Sequence, residues 1–157
     1  GSHRAAPAFG ADVAFQHYAL LRGHLTGSED GRPLAPLLGS ISDYHGGCVD
    51  LQFGPFTFGL AYDDHLVLYA FRPLSLGRSV CEISWLVRGE AVEGEDYDRE
   101  RLTWLWDVTT RADQRIVEAN ARGVASRFYE PGPLSEMEAF LGDFLDWYAE
   151  AMGPAAA

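Results

Sequence analysis

Between residues 47 and 88 the chain reads as four short strands separated by connections of a few residues, and this run limits the possible folds more than any other feature. The strands fall near 47–53 (GCVDLQF), 56–62 (FTFGLAY), 65–72 (HLVLYAFR) and 79–88 (SVCEISWLVR). Gly54-Pro55 and Asp63-Asp64 are short enough to be hairpin connections, so the run predicts an antiparallel meander. In the third strand Leu66, Leu68 and Ala70 alternate with Val67, Tyr69 and Phe71. Both of its faces are apolar, which predicts cover on both. In the fourth, Cys81, Ile83, Trp85 and Val87 share one face, while Glu82, Ser84 and Arg88 lie mostly on the other. An earlier segment, 12–22, alternates well enough for another strand with Val13, Phe15, His17, Ala19 and Leu21 on one face. Residues 23–40 are rich in Gly, Pro, Ser and Asp and read as a long loop with a turn at Ser28-Glu29-Asp30-Gly31.

The second half changes period. After an acidic loop at 89–96, helical spacing runs from about Asp96 to Arg122, with Gly123 placed as a left-handed cap. A turn-rich connection at 124–134 leads to a capping box, Ser135 and Glu138. Met137, Phe140, Leu141, Phe144, Leu145 and Tyr148 then repeat at helical spacing until Gly153-Pro154. A meander followed by long helices predicts an α+β domain with helices on one face of a curved sheet. A helix gripped by such a sheet leaves room between them for an apolar ligand.

With 47% hydrophobic and 22% charged residues the chain has the makeup of a globular domain. No stretch of 18 apolar residues occurs, so no membrane span is expected. The net charge of −11 argues against nucleic acid or an anionic membrane as a partner, since both need basic patches. Cys48 and Cys81 lack metal or redox spacing and read as two reduced thiols in a cytoplasmic protein. Gly1-Ser2-His3 resembles a tag remnant, 4–11 a flexible lead-in and 154–157 a tail, leaving 12–153 as the domain.

Few residues announce chemistry. Asp113 shares a helix face with Trp106, Thr109, Thr110, Val117 and Asn120 at spacings of three, four and seven. A buried carboxylate there would need a partner or a metal, whereas an exposed one could pair with Arg111, Arg115 or Arg122, and periodicity leaves both open. Glu118 likewise reads as exposed or paired with Arg122. His17, His24, His45 and His65 show no metal-type spacing, although a site using His17 and His65 with Asp113 is conceivable in three dimensions. No P-loop, G-x-G-x-x-G after a strand, or G-x-S-x-G occurs.

The stretch from Trp104 to Gly123, with Asp113, Glu118 and Gly123 five residues apart in turn, resembles the late helix of Rieske-type aromatic-ring-hydroxylating oxygenase α subunits. The segment Ser126 to Glu138, the final Phe144-Leu-Asp-Trp147-Tyr148, and upstream LTGSEDGRPLAPLLG and WLVRGEAVEGEDYD are similar to the same group. The resemblance implies a helix-grip catalytic domain related to START and Bet v 1 proteins, with Asp113 as the carboxylate of a 2-His-1-carboxylate Fe(II) site. It implies electrons delivered by a reductase through a [2Fe-2S] cluster in a separate Rieske domain, O2 as co-substrate, and a small organic substrate that is hydroxylated or demethylated. It also implies a homo-oligomer, a trimer in the family. Phe58, Leu60, Tyr69, Phe71, Trp85, Trp104, Val108 and Asn120 are the pocket candidates.

The chain departs from the family pattern. The Rieske motifs C-x-H and C-x2-H are absent, and so is a D-x2-H-x4-H-like iron motif; His17 and His24 are seven apart. At most one protein ligand of three is present, so the expectation is an incomplete, inactive piece of a larger oxygenase. The alternative is a non-catalytic START-like module that binds an apolar ligand.

Overall fold

A computed structural model describes residues 13–153. Five strands form one antiparallel sheet in sequence order: β1 Val13–Ala19, β2 Gly47–Phe53, β3 Thr57–Ala61, β4 Leu66–Ser75 and β5 Arg78–Leu86. Helix α1 spans Arg99–Val124 and α2 spans Ala139–Met152, with a short 3-10 turn at Glu136–Glu138 before α2. The chain divides within α1 into two compact units, Gly1–Val108 and Thr109–Ala157. The tag remnant, the lead-in and the tail lie outside the described residues.

The meander follows from its turns. Gly54 takes a positive φ of 64° between β2 and β3, a conformation that costs a residue without Cβ little. Between β3 and β4 only residues 62–65 intervene, with Asp63 and Asp64 at the tip, and Tyr62 N–H donates to the His65 carbonyl at 2.8 Å to close the hairpin. The first connection is long, residues 20–46, and folds back on the sheet instead of looping into solvent. Leu38 N–H donates to the Asp63 carbonyl at 2.8 Å, and Leu25 N–H to that of Gly31, also at 2.8 Å. Strand β1 ends at Ala19, short of the expected 22, because from Leu21 onward the chain turns to make this loop.

Strand alternation sorts the sheet into two faces. One carries Ala14, Gln16, Tyr18, Cys48, Asp50, Gln52, Phe58, Leu60, Val67, Tyr69, Phe71, Cys81, Ile83 and Trp85, as the strand register dictates. Val67 at its centre is fully buried. The opposite face holds Phe15, His17, Val49, Leu51, Leu66, Leu68 and Leu86. On β4 itself the expected cover is partial on this face, where Leu66 and Leu68 are half-buried, while Phe15 on β1 and Leu86 on β5 are exposed.

Helix α1 starts at Arg99 rather than Asp96. Asp98 caps it by accepting a hydrogen bond from Arg101 N–H at 2.8 Å. The Asp96 carboxylate is committed to Val92 N–H at 2.9 Å and closes the acidic loop instead. The helix end also differs from expectation. Gly123 has no positive φ and remains helical, and the helix continues one residue to Val124. The terminal carbonyls are met by Ala125 N–H on Ala121 and Ser126 N–H on Gly123, so no left-handed cap is needed. In the second unit, Ser135 N–H and its hydroxyl both donate to the Glu138 carboxylate, at 2.9 and 2.8 Å. This is one half of the expected capping box, set one 3-10 turn before α2. Along α2, Phe144 packs its ring against Trp147 and Tyr148 at centroid separations of 5.7 and 6.2 Å.

Candidate functional site

Five of the eight pocket candidates come together on the first face of the sheet: Phe58, Leu60, Tyr69, Phe71 and Trp85. Phe58 and Phe71 meet edge to face at 6.2 Å, and Tyr69 stacks on Phe71 at 6.4 Å. The first turns of α1 reach the same cluster through Trp106, whose ring lies 6.2 Å from Tyr69 and 6.1 Å from Tyr62. Trp106 was not among the candidates, though its spacing of four from the buried Leu102 marks the inward stripe of the helix. Trp104, two residues away, must face elsewhere. It lines an open polar cleft of about 410 Å³ with Ser28, Asp30, Leu34, Asp98 and Arg101. Val108 is exposed at the end of the first unit, and Asn120 is exposed on α1 within the second.

Among the described residues the aromatic face of the sheet carries one carboxylate, Asp50 on β2. It sits opposite Leu60 and Gln16 in the ladder and diagonal to Phe58. Burial pushes its pKa up, against a smaller opposing contribution from the Leu51 backbone N–H. No ion pair forms at Asp50 among the described residues, and Arg72, in mid-strand on β4, lies on the opposite face, where it pairs with Glu82 at 3.0 Å. In the same cross-strand row, the Trp85 indole N–H is enclosed with no acceptor among the described residues. Cys48, two residues before Asp50, is buried beneath the Tyr62 hydroxyl, and burial raises its thiol pKa. Both cysteines are free.

At the β3–β4 turn stands a second polar group that sequence spacing did not reveal. Thr26, Asp64 and His65 are all buried, the last two completely. The Asp64 carboxylate accepts from the Thr26 hydroxyl at 2.5 Å, from Leu34 N–H at 2.9 Å and from His65 Nδ1 at 2.8 Å. Burial alone would raise the Asp64 pKa, but the bonds from His65, Leu34 and Thr26 together hold it below the usual carboxylate range. The His65 ring stacks on Tyr62 at 4.8 Å, leaving Nε2 enclosed without a partner among the described residues. Next door, Asp63 accepts from His45 N–H at 2.7 Å and lies 3.0 Å from its ring Nδ1, and that carboxylate raises the His45 pKa. Tyr44 is pushed up to about 12 by burial and by the charges of Asp64 and Asp63. These residues pin the long loop to the sheet.

The histidines therefore do not gather. His17 projects from the exposed opposite face beside Phe15, His45 is exposed, and His65 is enclosed and committed to Asp64. Asp113 is exposed on α1, and Glu118 accepts from the Gln114 side-chain amide at 2.7 Å instead of pairing with Arg122. Among the described residues no group of three His, Cys, Asp or Glu side chains could hold a metal ion. One exposed carboxylate does not make an iron site, because Fe(II) needs several ligands in fixed geometry. The described residues thus do not fit a complete centre.

An antiparallel meander with an aromatic inner face and a long capped helix carrying Asp113 defines the class, and comparison with known proteins makes it specific. The family described as ring hydroxylating alpha subunit (catalytic domain) matches residues 22–154. The chain belongs to that family. It is 36% identical over 146 residues to the glycine betaine monooxygenase oxygenase subunit of Pseudomonas aeruginosa, covering 92% of this chain and 34% of that protein. The protein of the same name from Chromohalobacter salexigens is 33% identical over 146 residues, covering 92% of this chain and 33% of that protein. The chain thus spans about a third of the length of these curated relatives. Among the described residues, no helix is long and apolar enough to cross a membrane.

Proposed function

We propose that this chain is part of the catalytic domain of a Rieske non-haem iron oxygenase that oxidises an N-methyl group of a small ammonium compound. The observation that carries this reading is the family match across residues 22–154, joined to relatives named for glycine betaine. The whole protein would use O2 and Fe(II), a [2Fe-2S] cluster and a reductase, and would act as a homo-oligomer. When bound, the iron would supply the O2-activating chemistry. Asp113 is proposed as one of its ligands, with the others coming from polypeptide outside the described residues. This chain's own part is to bind and orient. Phe58, Tyr69, Phe71, Trp85 and Trp106 offer flat apolar walls that exclude water from one side of a methylated ammonium group.

Removal of a methyl group in this way consumes O2, two electrons and two protons and releases formaldehyde and water. The test is formaldehyde release from glycine betaine by the longer protein that contains this chain, supplied with iron, O2 and a reductase. Formaldehyde matched to O2 uptake, lost on Asp113→Ala, supports the reading; hydroxylation of an aromatic ring with no action on N-methyl compounds contradicts it.

A second reading, a START-like module that binds an apolar ligand without metal, is favoured by the aromatic face together with the lack of a metal-binding group among the described residues. Tight binding of a neutral apolar ligand by the metal-free chain, with no turnover in the longer protein, would select it.

A further inference from the structure

We propose that Asp50 is the residue through which the aromatic sheet face selects a methylated ammonium group over an uncharged tert-butyl group of the same shape. The inference rests on the N-methylammonium reading above and assigns its charge recognition to one side chain. Of the described residues that the strand register places on the inner face, Asp50 alone carries a carboxylate, and none is an arginine. Its cross-strand neighbours are Gln16 and Leu60, with Phe58 on the diagonal, so no side chain of the sheet neutralises it.

A half-buried carboxylate is costly to keep charged unless something compensates it. The raised pKa of Asp50 reflects that cost. Asp63 and Asp64 both meet donors, and Glu82 meets an arginine, whereas Asp50 has only the adjacent backbone. A tetraalkylammonium group has no N–H to donate and is held by diffuse electrostatics: a carboxylate on one side and ring faces on the others. Phe58 next to Asp50, and Tyr69 across from Phe58 in the ladder, supply those ring faces. Structural need does not explain the charge, because Asn would occupy the same volume in the ladder at no ionic cost.

The experiment is calorimetric binding to this chain of glycine betaine and of 3,3-dimethylbutyrate, which replaces the ammonium nitrogen by carbon and keeps the shape. The native chain should prefer glycine betaine by about tenfold, the order expected for one partly desolvated cation contact. Asp50→Asn should bring the two ligands to within about twofold without weakening 3,3-dimethylbutyrate binding, and Asp50→Glu should keep most of the preference. Circular dichroism verifies that the variants fold, and the comparison of ligands on the native chain stands without them. A preference that survives Asp50→Asn overturns the assignment to Asp50 and leaves the N-methylammonium reading intact. A native chain that binds neither compound overturns the assignment to Asp50, and one that favours 3,3-dimethylbutyrate overturns both.

Discussion

Asp64 shows how much one buried side chain holds in place. Its carboxylate collects donors from Thr26, from the Leu34 backbone and from His65, which lie far apart in sequence, so it joins the long loop to the β3–β4 hairpin. Replacing it by Asn turns one acceptor oxygen into a donor facing donors, and should cost about 3 kcal/mol in urea unfolding. Thr26→Val, which removes only the hydroxyl, should cost about 1 kcal/mol in the same measurement. Because the folded pKa of Asp64 is depressed, its stabilisation is present above the unfolded carboxylate value and is lost as pH falls through the folded one. Unfolding midpoints of the native chain should therefore drop on acidification more steeply than those of Asp64→Asn; parallel curves would refute this. Gly27 is a second tight point, since a Cβ there would sit 2.5 Å from the Tyr62 ring. Gly27→Ala should lower stability by about 2 kcal/mol through overpacking, readable as a fall in Tm.

At the scale of elements, the two tryptophans of α1 offer a sharp comparison. Trp106 meets Tyr62 and Tyr69, while Trp104 lines an open cleft. Trp106→Ala should cost about 3 kcal/mol and Trp104→Ala about 1 kcal/mol, measured by denaturant unfolding. Equal costs would mean that the helix faces are wrongly assigned. The order of elements was legible because hairpin turns and helical spacing are local signals: strand β2 falls on 47–53 as expected, and Asp63-Asp64 makes the predicted turn. Five pocket candidates also share a face because alternation along strands is local. What the spacing concealed depended on distant partners. Nothing near Asp64 in sequence shows that Thr26 and Leu34 return to it. Asp50 looked like any polar strand residue until the register put it beside Leu60 and Phe58. Gly123 misled because a glycine near a helix end permits a left-handed cap without compelling one.

For the whole molecule, the chain belongs to a ring-hydroxylating α-subunit catalytic-domain family, and the proposal is that it supplies a binding face and one iron ligand, Asp113, with no complete metal site among its described residues. The family match supports the first part, and the separation of His17, His45 and His65 into different surroundings supports the last. The most direct measurement is an anaerobic Fe(II) titration of the purified chain beside its Asp113→Ala variant, followed by calorimetry. The account predicts only weak binding, with no stoichiometric step, and the same curve for both proteins. Tight binding of one iron per chain that disappears in Asp113→Ala would contradict it, and would make this chain a metalloprotein in its own right.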